Sequence, residues 1–325
     1  VRRSDPVVVE GLTKVYRGRS GEVVALNDVS FSVRGGEVFG VLGPNGAGKT
    51  TLSLIIAGLL EPTRGTAYVM GEDVRKLKRK VCEKYVALYL SGYMRLVQSF
   101  LRVPALKYLI MVGSIHWARG DLRRRAEEAL KMVGLWEWRD EWPSRFSAGM
   151  KARLKLAELL LYDMPILVLD EPTVHMDPAS CMEVWRVLKK VAREEGRTIL
   201  LTTQNMEEAE YLCDRILFLN RGRVVAIATP HELRELVVKR ERIVVALRRG
   251  DGGRLVEKLR DLPAVFHAEA REGGRLIVIE AAKDGVAPAE LIDLAAKLGC
   301  EVRYLSYEKP SLSDVFRALV AGGAA

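Results

Sequence analysis

A chain of 325 residues, 49% hydrophobic and with a mean hydropathy of +0.03, has enough apolar material for about two domains, and its 29% of well-mixed charges excludes a disordered or low-complexity polymer. The net charge of +9 permits nucleic acid, an anionic membrane face or a nucleotide as partner, but the basic clusters Arg2-Arg3, Lys76 to Lys80 and Arg123 to Arg125 carry no interleaved aromatics and read as solvated surface. Cys82, Cys181, Cys213 and Cys300 form no CxxC pair and read as reduced thiols. No N-terminal signal pattern is visible, and the most apolar stretch, Leu109 to Gly113, is too short and too closely flanked by Arg102, Lys107 and His116 to span a bilayer, so a soluble chain is expected.

In chain order, Val7 to Val9, Val23 to Leu26 and Val29 to Val33 have strand character, and a Gly35-Gly36 turn leads to Val38 to Leu42, an apolar run of buried-strand type. A glycine-rich loop follows, then a helix over Leu52 to Leu60 and a hairpin-like piece over Gly65 to Gly71. From about Arg95 to Leu161 the pattern is helical, clearest at Leu122 to Val133 and Lys151 to Leu161. Ile166 to Leu169 is a short strand ending in Asp170-Glu171. A helix (Met182 to Glu194), a strand (Thr198 to Thr202), a helix (Met206 to Cys213) and a hairpin (Ile216 to Ala228) complete the region. Apolar strands alternating with helices predict an α/β fold around a parallel sheet.

After Pro230 the composition shifts. Residues 231–242 read as a charged helical linker, and 243–325 carry the order β-α-β-β-α-β, with strands at Ile243 to Leu247, Val265 to Ala270, Leu276 to Ala281 and Val302 to Tyr307. The expected organisation is therefore a domain over 1–230, a linker, and a small α+β domain of ferredoxin-like pattern that carries no catalytic motif.

The chemistry concentrates in the first domain. Gly43-Pro44-Asn45-Gly46-Ala47-Gly48-Lys49-Thr50 matches GxxxxGK[ST] between a predicted strand and a predicted helix, the context that motif requires. Its glycines let backbone N–H groups curl around phosphate oxygens, and the helix N-terminus adds its positive dipole end. Gly43, Asn45, Gly46, Ala47, Gly48, Lys49, Thr50 and Thr51 are the candidate phosphate cradle. Within it Lys49 is placed to reach the β- and γ-phosphates and Thr50 to offer a hydroxyl to Mg²⁺. Ile166 to Glu171 is an apolar strand delivering two carboxylates to its C-terminal end, where open α/β sheets bind ligands. Asp170 is the candidate metal residue, and Glu171 the one to polarise an attacking water.

Further segments fall in the order of a known family. Tyr16, Phe146-Ser147-Ala148-Gly149-Met150 and Met176-Asp177-Pro178 resemble the adenine-stacking aromatic, the signature and the D-loop of ABC-type ATPases, and the resemblance covers about Val7 to Ala228. It implies a P-loop NTPase cassette with a parallel-sheet core, an antiparallel β subdomain and a helical subdomain. ATP and Mg²⁺ are the implied cofactors, with Tyr16 stacking on adenine. Ser147, Gly149 and Asp177 would complete the site of a second cassette in a head-to-tail dimer. Ala148 stands where the family has the first glycine of the signature. The H-loop histidine position holds Gln204, whose amide can hydrogen-bond a phosphate but cannot carry a proton. The Q-loop position, on the metal side, aligns best with Ser91, Gln98 being the alternative. The tail Glu308 to Phe316 resembles that of type-2 exporter cassettes of the daunorubicin-resistance and sodium-efflux kind.

The reading is an ATP-hydrolysing subunit with Glu171, Lys49, Gln204 and Ser147 in catalytic roles. It would work at the cytoplasmic face of the cell membrane, paired with a second cassette and a multi-span permease. The segment Tyr93 to Trp117 falls where the family receives the permease, and no nucleic-acid partner is expected. The alternatives are a regulatory cassette that binds ATP with little hydrolysis, and a soluble ABC protein acting on ribosome or DNA.

Overall fold

The computed structural model describes residues 5–18, 21–91, 102–115, 121–237, 240–282 and 284–308, together with Leu312, Val315 and Phe316. The chain divides into two compact units, Val1–Pro230 and His231–Ala325.

The first unit opens with β1 (Val7–Gly18), β2 (Gly21–Val33) and β3 (Val38–Leu42), followed by α1 (Lys49–Ile56). Then come β4 (Arg64–Val69), β5 (Glu72–Asp73), the short helices α2 (Val74–Leu77) and α3 (Lys80–Lys84), and β6 (Val86–Leu90). Three helices follow, α4 (Ala105–Ile115), α5 (Leu122–Met132) and α6 (Ala148–Leu161). The unit closes with β7 (Ile166–Asp170), α7 (Pro178–Glu195), β8 (Thr198–Thr203), α8 (Met206–Leu212), β9 (Arg215–Asn220) and β10 (Arg223–Ala228).

Two sheets organise these elements. The strand order β10-β9-β3-β8-β7-β6 forms a six-stranded sheet in which β3, β6, β7, β8 and β9 are parallel and only the β10 edge is antiparallel. The strands β3, β7 and β8 are buried at every position, which is why they read as continuous apolar runs rather than alternations. An antiparallel sheet of order β2-β1-β4-β5 stands beside it, and one core joins the two, from Val9, Leu26 and Phe31 through Leu52, Ile55 and Ile56 to Val168 and Leu217. The helices α4, α5 and α6 pack on one another, and Tyr108, Leu109, Leu130 and Leu154 along them are buried.

The second unit contains α9 (Pro230–Val237), β11 (Arg240–Arg249), α10 (Gly252–Arg260), β12 (Val265–Arg271), β13 (Leu276–Ala282), α11 (Pro288–Lys297) and β14 (Glu301–Glu308). Its sheet has the order β12-β13-β11-β14, antiparallel throughout, so β11 and β12 are split by β13 as the ferredoxin-like pattern demands. Its own core runs through Ile243, Val245, Leu255, Leu259, Ile277, Ile279 and Leu291.

Four details depart from the sequence reading. Helix α1 begins at Lys49 and ends at Ile56, because Gly48 caps it directly. The strand β6, inside Lys-rich surroundings, has no counterpart among the expected elements. The segment read as helical from Arg95 is broken into separate helices, and residues 92–101 and 116–120 of it lie outside the described residues. The linker expected over 231–242 is helix α9 only to Val237, since β11 already begins at Arg240 to pair with β13 and β14.

Candidate functional site

The site forms where β3, β7 and β8 end. Leu42 runs into the loop Gly43 to Gly48, which winds into α1. A Cβ on Gly43 would stand 2.2 Å from the Leu219 carbonyl oxygen, and one on Gly48 2.3 Å from that of Ala25. The loop is thus pressed between β9 and β2, and glycine alone fits at both positions. Gly46 and Gly48 also adopt φ of 79° and 105°, which side-chain-bearing residues rarely take. The amide of Gly222 donates to the Ala47 carbonyl at 3.0 Å and that of Gly43 to the Thr203 carbonyl at 3.2 Å, fixing the loop to its neighbours.

Lys49 is 5% exposed. Its Nζ donates to the carbonyls of Gly43 at 2.8 Å and Pro44 at 3.1 Å and pairs with Glu171 Oε1 at 3.0 Å. The Thr50 hydroxyl donates to Asp170 Oδ2 at 2.8 Å, and the other oxygen, Oδ1, accepts from Thr202 Oγ1 at 2.6 Å. Glu171 sits at a φ of 50°, its amide donating to the Thr202 carbonyl at 3.0 Å. A non-glycine residue there holds strain that the surrounding bonds must maintain. The two candidate motifs, 120 residues apart in sequence, therefore meet within hydrogen-bonding distance.

The other expected residues fall into three places. Tyr16 is 41% exposed and its hydroxyl shares a hydrogen bond with Thr51 Oγ1 at 3.3 Å, while Lys14 Nζ stands 5.3 Å from its ring centre. The ring is thereby tethered beside the start of α1, and Asn45 and Gly46 lie exposed on the loop. Ser147 caps α6, accepting from the Met150 amide at 3.2 Å, and Asp177 caps α7, accepting from the Ser180 amide at 3.0 Å and hydroxyl at 2.6 Å. A Cβ on Gly149 would fall 2.5 Å from Ser180 Oγ, so signature and D-loop segments share one packed patch. The Ser180 hydrogen bonds hold the Asp177 carboxyl below its ordinary value. No hydrogen bond joins Ser147, Gly149 or Asp177 to the P-loop among the described residues.

Gln204 is exposed at the end of β8, and no hydrogen bond among the described residues ties it to Lys49, Thr50 or Glu171. Ser91 is half-buried, one residue beyond Leu90, which pairs with Asp170 across β6 and β7; Gln98 lies outside the described residues. Within Tyr93 to Trp117, Tyr108 and Leu109 are core, whereas Ile115 is 59% exposed.

Sequence reasoning missed four participants. Thr202 holds the second oxygen of Asp170 but reads as one more residue of an apolar strand. Glu208, on α8, is 1% exposed, and its Oε1 accepts from Thr173 Oγ1 at 2.6 Å and Trp185 Nε1 at 2.8 Å. Burial pushes its carboxyl above the ordinary range, the charge of Glu171 acts in the same direction, and the bonds from Thr173, Thr203 and Trp185 oppose them.

This arrangement suits a polyphosphate and a hard divalent cation. The ammonium of Lys49 is buried yet satisfied only by carbonyls and one carboxylate, partners that a phosphate oxygen replaces with gain. Thr50 and Asp170 form an oxygen-donor pair. No cluster of three or more His, Cys, Asp or Glu able to hold a metal occurs among the described residues. The Thr50 and Asp170 oxygen pair fits Mg²⁺, which is held by one or two carboxylates together with substrate phosphates. A cavity of about 680 Å³ lined by Arg125, Met132, Leu160 and Arg197 lies at the opposite, N-terminal ends of β7 and β8 and contains none of these groups.

Comparison with known proteins agrees. The ABC transporter family profile matches residues 26–174, and that of the C-terminal domain of DrrA1-3-like ATP-binding proteins matches residues 229–320. The chain is 35% identical over 320 residues to the daunorubicin/doxorubicin resistance ATP-binding protein DrrA of Streptomyces peucetius, covering 96% of this chain and 92% of that protein. It is 37% identical over 233 residues to ABC transporter A family member 6 of Arabidopsis thaliana, which is 70% of this chain but 24% of that protein's length. A solved dimeric ATP-binding cassette in a post-hydrolysis state, bound to ADP and Pi, matches with a TM-score of 0.59 and 26% identity, covering 69% of this chain and 98% of that one.

Proposed function

This chain belongs to the ABC transporter family of ATP-binding subunits, and from that premise we propose that two cassettes close on ATP to drive a multi-span permease of an export complex at the cytoplasmic face of a membrane. The chain is an ATPase of the ABC type. The observation that carries the mechanism is the meeting of Lys49 and Thr50 with Asp170 and Glu171 at the ends of β3 and β7.

The phosphates of ATP would settle on the amides of Gly43 to Thr50. Lys49 would exchange the carbonyls of Gly43 and Pro44 for phosphate oxygens, and the same movement would release Glu171 from its 3.0 Å pair. Freed, Glu171 orients the attacking water. Thr50 and Asp170, with Ser91 beside them, would hold Mg²⁺, which supplies charge neutralisation at the phosphates. Tyr16 would cover adenine. Ser147, Gly149 and Asp177 share one packed patch at the starts of α6 and α7, which supports their service to the partner cassette's nucleotide. The second unit's match to the DrrA1-3-like domain supports export.

A second reading, binding with little turnover, is favoured by Gln204 at the H-loop position and Ser91 near the Q-loop position. Mg²⁺-dependent turnover of wild type, Glu171→Gln and Gln204→His separates the two. We expect the wild type to hydrolyse ATP and Glu171→Gln to bind it without turnover; hydrolysis by Gln204→His alone would transfer the assignment to the binding subunit.

A further inference from the structure

A buried carboxylate is costly unless its oxygens are satisfied, so one retained beside a reaction centre invites the question of what it holds in place. Glu208 gathers donors from two elements: Thr173 from the loop after β7 and Trp185 from the middle of α7. The loop it grips is short and strained. It begins at Glu171 with φ 50°, passes through His175 with φ 65°, and ends at Asp177, the cap of α7. Inside it the Val174 amide donates to the Glu171 carbonyl at 3.3 Å and the Met176 amide to the Thr173 carbonyl at 3.2 Å, bonds too local to fix its position. The Thr173 hydroxyl ties the middle of the loop to α8, while Glu171 pairs with Lys49 at its start and the Cys181 thiol of α7 donates to the Thr173 carbonyl at 3.8 Å. Meanwhile the end of β8 receives the Glu171 amide at the Thr202 carbonyl and the P-loop Gly43 amide at that of Thr203.

We infer that Glu208 is a positioning residue for hydrolysis: through Thr173 it clamps the Glu171 to Asp177 loop, so that the water-orienting carboxylate and the partner-facing D-loop move as one piece. This rests on the reading of Glu171 given above. Glu208 is 1% exposed and acts on the loop through Thr173. A carboxylate suits the role because it accepts several bonds at once and donates none, and bonds to a charged acceptor are stronger than neutral ones.

The test compares Thr173→Val, Thr173→Ser, Glu208→Gln and Glu171→Gln in the full chain, measuring steady-state kcat and KM, affinity for a fluorescent ATP analogue, and the melting temperature. Losing one bond to a charged group predicts a fall in kcat of about tenfold or more for Thr173→Val, with analogue affinity within about twofold. Thr173→Ser restores kcat, and Glu208→Gln, which keeps an acceptor oxygen, retains more activity than Thr173→Val. An unchanged kcat in Thr173→Val, a parallel loss of kcat and affinity, or failure of Thr173→Ser to rescue overturns the inference. Should Glu171→Gln turn over ATP as the wild type does, it is the assignment of Glu171 that falls.

Discussion

Gly46 and Gly48 lie two residues apart in one loop, both with positive φ, yet the structure predicts different costs for the same substitution. At Gly46 a Cβ meets nothing within 4 Å, so Gly46→Ala carries only the penalty of holding an L-residue in the left-handed region, about 1–2 kcal/mol. At Gly48 the Cβ would stand 2.3 Å from the Ala25 carbonyl oxygen and 2.8 Å from Leu26 Cδ2. The first of these is backbone of β2 and cannot swing aside, so overpacking adds about 1–3 kcal/mol. Both variants add the same methyl group to the unfolded chain, and that contribution cancels in their difference. For a unit of this size the gap corresponds to roughly 2–12 °C in melting temperature, with Gly48→Ala the lower. Thermal unfolding followed by fluorescence reads it directly, and displacement of a fluorescent ATP analogue shows whether the displaced loop still cradles phosphate. Equal melting points, or a lower one for Gly46→Ala, would refute the reasoning that β2 backs the loop at Gly48.

Asp170→Asn keeps the shape and one of the two oxygens that accept from Thr50 and Thr202, and removes the charge offered to a divalent ion. ATP analogue binding in a chelator should match the wild type, and the gain in affinity on adding Mg²⁺ should vanish, as isothermal titration would record. At the edge of the antiparallel sheet, the Arg75 side chain holds the Asp73 carboxyl down to about 2, below its ordinary 3.8. A depressed carboxyl stabilises the fold above its unfolded value and loses that contribution as pH falls through the folded one. Asp73→Asn should therefore melt below the wild type at pH 7, with the difference closing between pH 4 and pH 2 in circular-dichroism melts.

What could be read from sequence and what could not divides along the range of the physics involved. The phosphate loop was legible because its requirements are local: closely spaced glycines for φ values of 79° and 105°, a lysine at the first helical position, a strand before and a helix after. The second unit was legible because four strands and two helices differ in period over short windows. The strand Val86–Leu90 was not, since five apolar residues following short Lys-bearing helices have no period to distinguish strand from helix, and only pairing with β7 decides it. Thr202 was hidden inside an apolar strand because its partner Asp170 lies 32 residues away. Glu208 shows the limit most clearly. In Asn205-Met206-Glu207-Glu208 it occupies the third helical position after an N-cap, where a glutamate ordinarily reaches back to the cap amide. Local rules thus assign it to its own helix end. The fold instead turns its carboxylate to Thr173 and Trp185, residues 35 and 23 positions away, and Asn205 caps the helix without it. A residue whose sequence context already supplies a sufficient local explanation is therefore the one whose long-range role stays invisible until the tertiary contacts are known.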